Sequence, residues 1–266
     1  MRTKSVGAGR GRRSPKSGQS NYFVGYKKHT INLLAKVDHH WRAIPVHSIT
    51  GAANRSDIMF LKPLLNHVHR RLEDLWPLHF IIGDKGYISI ERARFLREKW
   101  LVGLIVSPRS DMKMPPNSND AGCPLCPWGK EMLWEDYVPE DGVHLYRGAG
   151  EYCQRCPLAG KCPKLFEFKA QENEIYWGMI PSHSKLFQEL LRRFRPLCEP
   201  GFNTTKNLFR LKNFFINSRE LAQTLCTMSD VTETLKIMAR KRPETALKSK
   251  NRPLRDIMQP ELWEQW

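Results

Sequence analysis

No run of about 18 consecutive apolar residues occurs in the 266-residue chain, and nothing apolar follows the basic residues at its N-terminus. The first absence excludes a transmembrane helix and the second speaks against a secretory leader, so a soluble, cytoplasmic protein without a membrane partner is expected. Acid is scarce. Only 27 Asp and Glu stand against 43 Lys and Arg, a net charge of +16, and residues 1–20 contain no acid at all. An excess of that size on a globular chain points to a polyanionic partner, of which nucleic acid is the commonest; a generically basic or ribosome-associated surface is the alternative. There is no internal repeat, which excludes a solenoid. The seven cysteines are odd in number and five of them fall in two close clusters, so they suit metal ligation or free thiols better than a secreted disulfide framework.

The length allows one large domain, or one domain with a substantial insertion. Residues 1–20 carry Arg2, Lys4, Arg10, Arg12, Arg13 and Lys16 among Gly and Ser, too little apolar surface to order the segment, and a disordered basic arm is expected there. The mixed aromatic and aliphatic stretch from Tyr22 to Leu34 reads as a strand bulged at Gly25. A turn near Asp38–Trp41 and a second strand over Ala43–Ile49 complete an antiparallel hairpin. Asn54–Asp57 offers a helix start, and Ile58, Leu61, Leu64, Leu65, Val68, Leu72 and Leu75 recur at helical spacing. Pro63 predicts either a kink or a start close to Lys62.

Phe80, Ile81 and Ile82 form a short apolar run that suits a strand buried on both faces. Gly83 then lets the backbone turn, and Asp84 emerges at the strand's carboxyl end, where open α/β sheets place their ligands. The plainer reading is an Asp that caps the next helix. A helix over Ile90–Trp100 and a strand over Val102–Ser107 complete a β-β-α-β-α-β order, which builds a mixed sheet with an antiparallel edge. After Pro108 the many Pro, Gly and polar residues mark an irregular, cysteine-rich insertion over 109–180. Helical spacing returns with Leu186, Leu190, Leu191 and Phe194 and continues through Leu221, Leu225, Met228 and Leu235, so 181–240 should complete the domain begun by 21–108. Residues 241–266 form a basic tail.

Three phrases in this order, YFVGYKKHTI, IPVHSITGAANRSD and IIGDKGYISIERARFL, resemble the catalytic domain of bacterial insertion-sequence transposases that use an Asp, Asp, Glu triad. The resemblance runs from about Tyr22 to Val106. It implies a ribonuclease H-like α/β fold, a mixed sheet flanked by helices, and it makes Asp84, in the DKGY phrase, the second catalytic acid. Many members carry a signature of Tyr, two residues, Arg, three residues, Glu, six residues and Lys. Arg195, Glu199 and Lys206 stand at those spacings, with Arg192 in place of the tyrosine. Pro200 and Gly201 follow directly, and Glu199 also reads as a charge stabilising a helix N-terminus; Glu189 and Glu220 are weaker candidates. The first acid of the triad has no counterpart, because neither Asp nor Glu precedes Tyr22. The chain thus resembles a transposase truncated at its N-terminus, with the central first strand of the sheet missing.

What the resemblance implies chemically is phosphoryl transfer, in which Mg²⁺ or Mn²⁺ offsets the charge developing on the attacking and departing oxygens. Such hard ions prefer carboxylate oxygens to thiols. Asp84 and Glu199 would bind them, and Arg195 and Lys206 would steady the glutamate or hold DNA. The partners implied are DNA, as transposon ends and target, and further copies in a homo-oligomer. Separately, Cys123 and Cys126, and Cys153 and Cys156, stand two residues apart, and Cys162 follows Pro157; paired knuckles of this kind point to a structural Zn²⁺, with an unmetallated thiol-rich loop as the alternative. A DNA-binding remnant without catalysis, and a zinc-stabilised RNA-binding protein, are the competing functional readings.

Overall fold

The computed structural model of the chain describes residues 8–13, 21–72, 78–163, 165–199 and 218–239. They fall into two compact units, one built from residues 1–77 and 196–266 and the other from Leu78–Arg195.

The first unit is built on an antiparallel hairpin of β2 (Asn21–Val37) and β3 (His40–Ala52). Asp38 and His39, both with positive φ, form its two-residue turn, the backbone twist that suits a tight hairpin. The expected bulge is present but lies between Ile31 and Asn32 rather than at Gly25. Opposite it stands Pro45, which has no N–H to give to the ladder, so the register slips there. A further strand, β1 (Gly9–Arg13), pairs antiparallel with Asn21–Gly25. A disordered arm was expected over 1–20; of its described residues, Gly9–Arg13 form a strand instead. Gly9 makes the approach possible, since a Cβ there would sit 2.1 Å from the Asn54 side chain.

Alternation along the strands assigns one helix to each face of this sheet. His29 stacks on Phe60 with ring centroids 4.0 Å apart, and His47 on His67 at 3.6 Å, so that face carries α1 (Ile58–Leu72). Phe60, Leu61, Leu64, Leu65 and Val68 are its buried residues. Pro63 lies inside α1, which starts before it, on the exposed side of the helix. The neighbouring residues Lys28, Ser48 and Thr50 face the other way, toward α5 (Arg219–Ala239), which buries Ala222, Cys226, Ser229 and Ile237. Gln223 on α5 accepts from Thr50 N at 2.7 Å and donates to the Ser48 carbonyl at 2.8 Å. It thereby pairs backbone groups of β3, the outer strand of the sheet.

In the second unit β4 (Phe80–Ile82) and β5 (Gly103–Ile105) run parallel, joined by α2 (Ile90–Phe95). Ser89 caps α2. The helix loosens into a π turn over Leu96–Trp100 and stops at Leu101, whose left-handed φ of 54° ends the hydrogen-bonding pattern. The β-β-α-β-α-β order expected from periodicity is thus the observed order of β2 through β5. Residues 109–180 are less irregular than expected. They contain an antiparallel sheet of β6 (Met132–Val138), β7 (Val143–Gly148) and β8 (Leu165–Lys169), with Tyr146 and Trp177 fully buried. Its period-2 pattern is hidden in sequence because β6 is bulged between Trp134 and Asp136 and because polar His144 faces the core. α3 (Gly150–Cys153) follows β7, and α4 (Lys185–Phe194) packs on β4 and β5.

Candidate functional site

Asp84 stands one residue past the point where β4 stops pairing, since the Gly83 N–H still donates to the Ile105 carbonyl at 3.1 Å. Its backbone is extended, and its side chain caps nothing in the short turn Lys85–Tyr87. The capping alternative therefore fails. The carboxylate is 62% exposed, and Arg195 donates to its Oδ1 from both Nε, at 2.8 Å, and Nη2.

The route by which Arg195 gets there can be followed from the sequence. Ser184 caps α4 by accepting from Phe187 N at 3.1 Å. Phe187 and Leu191 then bury against Ile105 and Ile180, with Phe80 and Ile82 packed alongside. Seating those side chains on β4 and β5 fixes the helix, and its C-cap, Arg195, falls beside the end of β4. The packing thus delivers a cation to the acid from 111 positions away. The resemblance implies that Arg195 steadies Glu199 or holds DNA; here it is engaged with Asp84.

Glu199 is exposed, just after the 3₁₀ turn Arg195–Cys198, and belongs to the first unit. Lys206 lies outside the described residues. Asp57 pairs with Lys27 at 3.2 Å, and Asp38 occupies the hairpin turn. Among the described residues no three His, Cys, Asp or Glu side chains form a ready-made metal cage. Asp84 by itself suits a hard cation in chemical kind, as an exposed carboxylate whose described partner is a surface arginine.

Two internal polar arrangements in the second unit were not anticipated. Arg97 grips Glu174 in a bidentate pair, Nε to Oε1 at 2.8 Å and Nη2 to Oε2 at 2.9 Å, with 8% and 1% of the side chains exposed. The hydrogen bonds it donates to Glu174 raise the proton affinity of the guanidinium further. His144 accepts at Nδ1 from the Trp134 indole at 3.1 Å, so its proton sits on Nε2 and is donated to the carbonyls of Trp177, at 2.8 Å, and Gly178, at 2.6 Å. Burial lowers its pKa to about 4, and burial does the same for His183. No short motif marks either arrangement; the partners are far apart in the chain.

The five clustered cysteines separate into one and four. Cys123 is buried, and its Sγ donates to the Met132 carbonyl at 3.3 Å. Burial pushes its thiol up to about 11, which suits a core residue rather than a thiolate ligand. Cys126, Cys156 and Cys162 are half-buried and Cys153 is exposed; all are free thiols. Of the aromatic residues, Trp128 is 41% exposed, whereas Trp134 is tied to His144 and the Asp136 carbonyl. No helix among the described residues is long and apolar enough to cross a membrane.

A family model described as a transposase DDE domain matches residues 5–229. No curated protein and no solved structure matches the chain.

Proposed function

The chain belongs to the transposase DDE-domain family, and from that premise we propose that it cuts and joins DNA strands at transposon ends by metal-dependent phosphoryl transfer. The observation that carries this reading is Asp84: an exposed carboxylate at the carboxyl end of a parallel strand, gripped by an arginine that a packed helix brings to it. The strand order and the parallel β4–β5 pair support a ribonuclease H-like fold.

Asp84 and, on the spacing of its motif, Glu199 are the residues proposed to hold Mg²⁺ or Mn²⁺. Such an ion, when bound, stabilises charge on the oxygens of the diester. Arg195 restrains the Asp84 side chain and keeps a guanidinium beside it, the group best shaped to meet a phosphate. Lys206 is the further cation proposed for phosphate contact. The +16 charge of the chain supplies the general attraction to DNA.

The second reading is a DNA-binding remnant without catalysis. Its support is the net charge of +16, which attracts DNA whether or not the chain cuts it. Nicking of transposon-end DNA in Mg²⁺, by wild type and by Asp84→Asn, tests both. Weak cleavage that the substitution removes supports the enzyme; salt-sensitive binding, with no cleavage by either protein, supports the remnant.

A further inference from the structure

Residues 151–163 bury almost nothing: Glu151–Arg155, Pro157–Lys161 and Pro163 are exposed, and only Cys156 and Cys162 reach half-burial. Apolar burial therefore cannot hold this stretch in place, and a segment with so small a core needs a staple. It is nevertheless wound into definite turns. Cys156 N donates to the Cys153 carbonyl at 3.3 Å, Ala159 N to the Cys156 carbonyl at 3.0 Å, and Cys162 N to the Leu158 carbonyl at 2.9 Å. Leu158 N donates to the Cys156 sulfur itself at 3.4 Å, a contact that stabilises a thiolate.

Cys126 is brought to the same end of the β6–β7 sheet. It opens a tight turn in which Gly129 N donates to the Cys126 carbonyl at 2.7 Å and Cys126 N to the Lys130 carbonyl at 2.8 Å, closed by Gly129 at φ 71°. β6 starts directly after it, and its first residue, Met132, pairs with Gly148. A Cβ on Gly148 would lie 2.4 Å from the Cys153 sulfur, so that sulfur packs on Gly148 itself. The Lys130 ammonium spans the two knuckles, 5.7 Å from the Trp128 ring and 5.3 Å from the Tyr152 ring. Leu158 links Cys156 to Cys162, since its N–H meets the Cys156 sulfur at 3.4 Å and its carbonyl accepts from Cys162 N at 2.9 Å. Cys123 points elsewhere, its buried sulfur donating to the Met132 carbonyl at 3.3 Å.

We propose that Cys126, Cys153, Cys156 and Cys162 bind one zinc ion, with Cys123 excluded from the ligand set. The sulfurs do not converge on a ready-made cage, and a tetrahedral ion with sulfur at about 2.3 Å has to draw together three half-buried cysteines and one exposed one. The thiol protons pass to solvent on binding. Lys130, Arg155 and Lys161, which lie in the two knuckles, offset the negative charge of the resulting tetrathiolate. The ion pins an uncored loop to the end of a sheet, and the proposal does not depend on the phosphoryl-transfer reading.

The test is metal content of the full chain purified under reducing conditions, with titration of the stripped protein by Co²⁺. About one zinc per chain and a thiolate-to-cobalt charge-transfer band are expected. Cys126→Ser, Cys153→Ser, Cys156→Ser and Cys162→Ser should each lose both signals, and Cys123→Ser should keep them. Should a ligand variant fold poorly, alkylation of the wild type decides. Zinc must slow modification of the four thiols and a chelator restore it, while Cys123 stays slow throughout. Absence of metal with no charge-transfer band, a disulfide between Cys153 and Cys156 in freshly purified protein, or equal loss in Cys123→Ser overturns the assignment.

Discussion

Asp84 and Glu174 show how burial separates two carboxylates that both sit beside arginine. The pair of Asp84 with Arg195 is more than half exposed on both sides, so solvent screening leaves it worth at most about 1 kcal/mol. Arg195→Ala is therefore expected to leave the denaturation midpoint almost unchanged while lowering any DNA cleavage by ~10²-fold, the usual loss when a preorganised donor is removed. A variant as active as wild type would deny Arg195 its positioning role. Glu174 is different, since its partner Arg97 is buried with it. Glu174→Gln leaves the buried guanidinium with only the half-exposed Glu98, 3.1 Å from Nη2, as charge partner and should cost up to roughly 3–5 kcal/mol in urea unfolding. A change below about 1 kcal/mol would show that water reaches the pair. Asp84 could be found from an apolar run and a glycine, both local signals. Nothing local in residues 90–100 or 170–176 distinguishes Arg97 and Glu174 from ordinary surface charges.

Among the elements, α5 has the most to lose from a single change. Asp230 accepts from both Lys28 and Ser48, on the two strands of the hairpin, and the Lys28 and Asp230 side chains are only 11% and 14% exposed. Asp230→Ala should destabilise the protein by roughly 1.5–3 kcal/mol, the range for a hydrogen bond to a charged group. Hydrogen exchange checks where that loss falls: protection should drop in β3 and α5, and an effect confined to the substituted turn would contradict the packing described. The helical spacing of Leu221, Leu225, Met228 and Leu235 announces a helix but misplaces its buried face. Leu221, Met228 and Leu235 are exposed, and Ala222, Cys226, Ser229 and Ile237 make the contact. Small side chains let the helix lie close to the strands, and hydrophobicity alone does not register that preference. β1 is hidden for a similar reason, because a strand of Gly and Arg has almost no apolar signal and is specified by its neighbour.

For the whole molecule, buried neutral histidines link stability to pH. His29, His144 and His183 each have a pKa lowered from 6.5 to about 4, with burial as the largest cause. The unfolded chain therefore binds more protons than the folded one between those values. Stability should be full above about pH 6.5 and should fall as the pH drops toward 4. Melting temperatures across that range test this; a midpoint that does not move would mean the rings gain water before they charge. The net charge of +16 predicts a second dependence. DNA affinity should fall by roughly 10³-fold or more between 50 and 200 mM salt if six or more phosphates are contacted, and a flat response would remove DNA as the partner of the basic surface. The sequence by itself determined the charge, the order of strands and helices from β2 to β5, and the emergence of Asp84 at a strand end. All of these are set by composition or by patterns a few residues long. Only the tertiary structure decided that Arg195 meets Asp84, that Cys123 leaves the other four cysteines, and that His144 is neutral with its proton on Nε2. Each depends on which distant elements share a buried surface, and desolvation acts on a side chain only after those elements have met.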